Sequence, residues 1–200
     1  RLVEIYRHDI RQWCTDKHQS VDDRPFGGGP GMVIKVEPVV ECVEEVQTLA
    51  QPWAQVILLT PQGERLDQRR VEQLASAPRH LLLCGRYEGF DERLLEAEAD
   101  DEVSLGDFVL SGGEVAAAAI IDAVVRLLPG VLGDEQSAAQ DSFADGLLDC
   151  PHYTRPETLA GRRVPQVLRD GDHEAIRRWR LKQAIGRTSE RRPELLAKRE

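Results

Sequence analysis

Apolar positions in the first 130 residues fall into two alternating kinds of run. Short stretches rich in β-branched or aliphatic residues, at 3–6, 56–60, 80–84 and 103–104, have the length and bounding signals of strands. Between them the apolar spacing turns helical over 38–50, 67–75 and 113–128. In the first of these Pro38 suits an opening turn, and Val39, Val40, Val43, Val46 and Leu49 recur near a 3.6-residue period. In the third, Ala116 to Ala119 with Ile120, Ala123, Val124 and Leu127 predict a helix buried over most of its circumference, its small residues admitting a second backbone. Strand and helix in alternation predict an α/β fold around a mainly parallel sheet. Both periods stop over 129–171, where Pro129, Gly130, Gly133, Gly146, Pro151, Pro156, Gly161, Pro165 and Gly171 mark a linker or a functional loop. A last helix follows, with Asp172 as N-cap and Glu174 in its first turn, and it carries Arg177, Arg178, Arg180, Lys182 and Arg187 around Trp179.

Charge changes this picture once it is divided by position. The 200-residue chain has a net charge of −9, which taken whole argues against a polyanionic partner. Residues 1–150 hold 13 basic and 28 acidic side chains, net −15, whereas residues 151–200 hold 13 and 7, net +6. A basic end on an acidic chain is a sign of nucleic-acid binding, against which stands a merely solvated helical face. The acidic group Glu96, Glu98, Asp100, Asp101 and Glu102 is expected to be such a solvated face.

Membrane insertion is excluded, because the longest apolar stretch, 115–128, is interrupted by Asp122 and Arg126. Cys14, Cys42, Cys84 and Cys150 are widely separated, with no paired spacing and no histidine at zinc-ligand distance in sequence. That points away from a disulfide framework or structural zinc and toward a reduced, cytoplasmic protein. Cys150 beside His152 could form a thiol nucleophile, but a buried free thiol is the expected outcome. No signal or transit peptide is expected from the residues ahead of the first strand-like run.

Chemistry concentrates where glycines follow strands, since ligands of open α/β sheets bind beyond the strands' carboxyl ends. Three such segments stand out: Thr60-Pro61-Gln62-Gly63, Gly85-Arg86-Tyr87-Glu88-Gly89, and residues 104–113 with Gly106, Gly112 and Gly113. A fourth, Gly27 to Gly31, precedes them. None is a dinucleotide fingerprint or a phosphate loop. Tight turns remain the plain alternative for glycines alone.

Longer words are more specific. Val21-Asp22-Asp23-Arg24-Pro25-Phe26-Gly27-Gly28-Gly29-Pro30-Gly31-Met32, Cys84-Gly85-Arg86-Tyr87-Glu88-Gly89, Gly106-Asp107-Phe108-Val109-Leu110-Ser111-Gly112-Gly113-Glu114, Asp141-Ser142-Phe143 and Pro151-His152-Tyr153-Thr154-Arg155-Pro156 occur in this order. The ordered set resembles the bacterial tRNA (guanine-N1)-methyltransferase family of SPOUT enzymes from about residue 13 to the end. The resemblance implies a deep trefoil knot over roughly 56–128, a catalytic domain over 1–132, an interdomain linker and substrate loop over 133–171, and a small helical tRNA-binding domain over 172–200. It also implies a first strand and helix ahead of Arg1 and a continuation of the helical domain past Glu200. The implied reaction is methylation of N1 of guanosine at tRNA position 37, with a guanosine at 36, by a homodimer using S-adenosylmethionine. A Mg²⁺ requirement comes from the resemblance alone, and no metal ligands are assigned.

Site residues follow in the same terms. Thr60, Pro61, Gly85, Tyr87, Glu88, Gly89, Leu105, Gly106, Phe108, Leu110, Gly112 and Gly113 are implied to hold the cofactor, by backbone groups and apolar walls, with Glu88 facing its cationic end or the substrate. Guanine N1 carries a proton that a positioned base must remove, and Asp141 matches that base. Arg126 matches the cation that stabilises charge developing on O6. Asp22 is a candidate reader of guanine, with Asp23 a reader or a turn cap. Arg177, Arg178, Arg180 and Lys182 are candidate phosphate contacts. His152 and Tyr153 could stack on a nucleotide or pack the linker. Phe26 and Phe108 replace a usual Tyr, Thr60 a usual Ser and Ala116 a frequent Pro, and none of these removes a proposed reacting group. The alternatives are another SPOUT RNA methyltransferase, acting on rRNA or a ribose 2′-hydroxyl, and a catalytically inactive RNA-binding module.

Overall fold

The computed structural model describes residues 2–133 and 140–197. The chain divides into two compact units, 1–131 and 132–200. Residues 132–171 therefore cluster with the last helices.

The first unit is a three-stranded parallel sheet, β3 (Gln55–Arg65) between β4 (His80–Cys84) and β5 (Asp101–Ser104), preceded by an antiparallel pair, β1 (Asp22–Asp23) and β2 (Val33–Ile34). Four helices accompany it: α1 (Val36–Thr48), α2 (Gln68–Ser76), α3 (Glu92–Glu98) and α4 (Glu114–Val125). The unbroken apolar run of β3 is explained by burial on both faces. Val56 and Leu58 pack with Val39, Val43 and Leu94 of α1 and α3, while Ile57 and Leu59 pack with Leu74, Ala116, Ala117 and Ile120 of α2 and α4. Ala116 and Ala117 give the close approach on this second face, but Val115, Ala118 and Ala119 are exposed, so α4 buries one stripe and not most of its circumference.

Local chemistry sets the ends of these elements. Asp67 caps α2 by accepting Arg70 N–H, and Asp91 caps α3 by accepting Arg93 N–H. The Arg93 guanidinium paired with Asp91 also holds that carboxyl at about 2. The carboxyl end of α1 and the turn after it receive the Arg79 guanidinium, which donates to Val46 and Ala50 oxygens at 2.6 and 2.5 Å. Buried Gln47 closes the turn from α1 into β3, donating to Ala54 C=O and accepting Ala54 N–H, each at 2.8 Å. Gln47→Ala strands both backbone groups without partners, so chemical denaturation of this variant should show a loss of about 2 kcal/mol.

Two further expectations are corrected. Residues 3–6 do not form a strand: Ile5 and Tyr6 are exposed, and no described strand lies beside them to take up their backbone groups. The acidic group is not wholly solvated. Asp100 accepts Val56 N–H at 2.8 Å, and Asp101 pairs with Arg70 of α2, so these two carboxylates hold β5 and α2 in place.

The second unit contains a short hairpin, β6 (Thr158–Leu159) with β7 (Arg162–Arg163), and helices α5 (His173–Arg191) and α6 (Glu194–Ala197). Asp172 caps α5 as expected, accepting Ala175 and Glu174 N–H at 3.0 Å, and these donors lower its carboxyl below the ordinary range.

Candidate active site

β3 does something unusual for a parallel strand. Leu59 pairs with Val103, the chain then bulges through Thr60, Pro61, Gln62 and Gly63, and Glu64 pairs with Val103 again. Gly63 makes this return feasible, because a Cβ there would lie 2.5 Å from Val103 N. The bulge puts Thr60 to Gln62 beside the carboxyl ends of β4 and β5. At β4 the chain passes directly under the start of α4: Gly113 N–H donates to Gly85 C=O at 2.8 Å, and a Cβ on Gly113 would stand 2.7 Å from Cys84 Cα. Ser104, at the end of β5, folds the next loop by accepting Gly106 N–H and donating to Gly106 C=O.

These three segments enclose a cavity of about 390 Å³. All twelve residues assigned to cofactor binding line it: Thr60, Pro61, Gly85, Tyr87, Glu88, Gly89, Leu105, Gly106, Phe108, Leu110, Gly112 and Gly113. Gln62, Arg86, Glu92, Val109 and Ser111 also line it and were not singled out, although each lies within or beside one of the glycine-bearing words. Arg86 is tied at the rim to Glu114, with its Nε 2.9 Å from Oε1. Tyr87 adopts a left-handed conformation, φ 60°, without being glycine, the sort of backbone strain that collects at ligand sites. The cavity size is that of a small-molecule site, at the low end of the roughly 300–1,000 Å³ range. Its lining of exposed-edge backbone, apolar side chains and the carboxylates of Glu88 and Glu92 suits a cationic nucleoside.

The Val21 to Met32 word reaches the same place through the backbone. Glu88 N–H donates to Met32 C=O at 3.0 Å, Ile34 N–H to Gly89 C=O at 2.9 Å, and Asp91 N–H to Ile34 C=O at 3.2 Å. Asp22 is half-buried in β1; Asp23 is exposed, and its carboxylate accepts Arg24 N–H at 2.7 Å.

The sequence matches the tRNA (Guanine-1)-methyltransferase TrmD family over residues 1–198. The chain belongs to that family. It is 60% identical over 199 residues to the tRNA (guanine-N(1)-)-methyltransferase of Halorhodospira halophila, covering 100% of this chain and 75% of the relative. A tRNA (guanine-N(1)-)-methyltransferase from Sodalis glossinidius is 60% identical over 98% of this chain and 78% of its own length, and one from Methylococcus capsulatus is 61% identical over 94% and 74%.

Within this tRNA (guanine-1)-methyltransferase family member, the remaining assigned residues lie elsewhere. Arg126 is the C-cap of α4, exposed, and separated from Gly113 by twelve helical residues, or about 18 Å of axis. It does not line its own chain's cavity. Asp141 belongs to the second unit, half-buried, its carbonyl accepting Ala144 N–H. Arg177, Arg178, Arg180 and Lys182 are all exposed on α5. Part of the implied linker, 134–139, lies outside the described residues.

Near Asp141, Cys150 is buried, and that burial raises its thiol above the ordinary value. Asp149, Cys150 and His152, which sequence spacing did not flag, bring their donor atoms within 4.8 Å of one another. A 2.5 Å hydrogen bond between His152 Nε2 and Asp149 Oδ2 accounts for the grouping. Tyr153 packs its ring on Trp179, 6.3 Å between centroids. No described helix is long and apolar enough to cross a membrane.

Proposed function

We propose that this methyltransferase transfers the methyl group of S-adenosylmethionine to N1 of guanosine at position 37 of tRNA, with guanosine at 36 part of the recognised sequence. The observation that carries the reading is the convergence of three glycine-bearing segments on one cavity at the carboxyl ends of a parallel sheet. S-adenosylmethionine, when bound, supplies an electrophilic methyl on a cationic sulfonium. Backbone groups at Gly85, Gly89, Leu105, Gly106, Leu110 and Gly113 would hold its adenosine, Thr60, Pro61, Tyr87, Phe108 and Gly112 would shape the walls, and Glu88 would face the positive charge.

Asp141 accepts the N1 proton, leaving a lone pair for in-line attack on the methyl carbon. Arg126 stabilises the charge that moves to O6. Its position at the far end of α4 supports a homodimer, since a cavity that needs this cation must take it from a second copy. The knot over roughly 56–128 agrees with the return of β3 to Val103 and with the close passage of Gly63 and Gly113 against other strands. Asp22, half-buried in β1, is the proposed reader of guanine. A reduced, cytoplasmic setting suits both the substrate and the four free cysteines.

Methyl transfer should be measured on unmodified tRNA transcripts that differ only at positions 36 and 37. Transfer confined to transcripts with guanosine at 37 is expected; equal transfer without it refutes the reading. The exposed basic face of α5 makes a further expectation. Replacing any one of Arg177, Arg178, Arg180 or Lys182 by alanine should lower the slope of log affinity for tRNA against log salt by about 1, while leaving cofactor affinity unchanged.

A further inference from the structure

The segment that carries Asp141 runs antiparallel along α5 and is held to it at three places. The Arg192 guanidinium sits 5.9 Å over the Phe143 ring. Thr188 Oγ1 accepts Leu148 N–H at 2.9 Å while donating to Ala184 C=O at 2.7 Å. The Tyr153 and Trp179 rings meet at the third. The three points span about 20 Å of helix. Inside the segment, Asp149 N–H donates to Ser142 Oγ at 3.0 Å and Phe143 N–H to Leu147 C=O at 2.7 Å. A short chain of bonds thus leads from Thr188 through Leu148 and Asp149 to Ser142, the neighbour of Asp141.

Thr188 is wholly buried. A threonine in a helix interior is a modest helix former, and its hydroxyl costs free energy to bury unless it is bonded. Here both its donor and acceptor capacities are used, one inward to its own helix and one outward to the segment. The same helix exposes Arg177, Arg178, Arg180 and Lys182.

We propose that Thr188 is a positioning residue for Asp141, and that α5 thereby couples its grip on RNA to the placement of the base. This rests on the reading of Asp141 as the base. Displacing a reacting group by a fraction of an ångström lowers the rate without altering the surfaces that bind RNA. The effect of removing the hydroxyl should therefore fall on the chemical step.

The test is single-turnover methylation at saturating tRNA and cofactor, with tRNA affinity and melting temperature measured on the same samples, for the full chain and its variants Thr188→Val, Thr188→Ser and Asp141→Asn. Thr188→Val keeps the branched shape and should lower the rate constant about tenfold with tRNA affinity unchanged, and Thr188→Ser should restore it to nearly the parent value. Should Thr188→Val not fold, Thr188→Ala removes the same hydroxyl with a better helix former. A valine or alanine variant with the parent rate overturns the proposal. So does a loss of rate that tracks a loss of affinity and melting temperature and that serine does not rescue. Asp141→Asn separates the two readings: if it retains the parent rate, the base assignment has failed, whereas a dead Asp141→Asn beside an unimpaired Thr188→Val leaves the base standing and removes only the positioning role.

Discussion

Replacing Asp141 by asparagine is expected to reduce the rate of methyl transfer by about 10²–10⁴ while the protein still binds tRNA and cofactor. The exchange is nearly isosteric, and asparagine retains the backbone carbonyl that accepts Ala144 N–H. What is lost is an oxygen able to take a proton. Neutral guanine offers no usable N1 lone pair, so the nucleophile exists only as that proton departs, and water is a poorly placed substitute. Single-turnover kinetics with radiolabelled cofactor, alongside binding measurements, will check the split. Equal losses of rate and affinity would instead make Asp141 a binding residue.

The second large effect is structural. Gly63→Ala should destabilise the first unit by about 3 kcal/mol, beyond what deletion of a side chain at the surface ever does, since the added methyl overlaps a peptide rather than a movable side chain. Its Cβ would sit 2.5 Å from Val103 N and 2.6 Å from Glu102 O, both within β5. Relief requires β3 and β5 to separate where Glu64 re-pairs with Val103, which also displaces Thr60 to Gln62 from the cavity wall. Denaturation midpoints and cofactor binding should therefore fall together. A variant with the parent midpoint would mean that the strand return is looser than the register implies.

How much of this was legible beforehand depends on range. Short-range signals were faithful: the strand at 80–84 and the cap at Asp172 rest on neighbours within a few positions. The continuation of β3 to Arg65 was not legible, because Thr-Pro-Gln-Gly reads as a turn. It becomes strand only through Glu102 and Val103, some forty residues away. Likewise Asp101 reads as one more solvated acid until Arg70 is brought to it across the fold. Most cavity residues could be named because they belong to motifs long enough to identify, while Thr60, Pro61 and Leu105 lie in the glycine-bearing segments after the strands; nothing in either reveals that they meet. The separation of Arg126 from its own cavity is a property of helix length and could have been anticipated by counting residues from Gly113. The burial of Thr188 could not, since threonine at that position is as compatible with solvent as with a core.

The cavity's two sides differ in how they are tethered. Tyr87 and Glu88 sit between backbone bonds to Met32 and Ile34, so this side is braced by a segment more than fifty residues distant. The opposite side, 107–111, projects Phe108 and Val109 into solvent, the latter 83% exposed, and Phe108 N–H bonds back to Gly106 within its own loop. A ligand thus meets one side bonded to a distant segment and one side bonded within its own loop. A change at Met32 or Ile34 is therefore transmitted to the Tyr87 and Glu88 side of the cavity through the backbone, whereas 107–111 has no such remote dependence among the backbone bonds described.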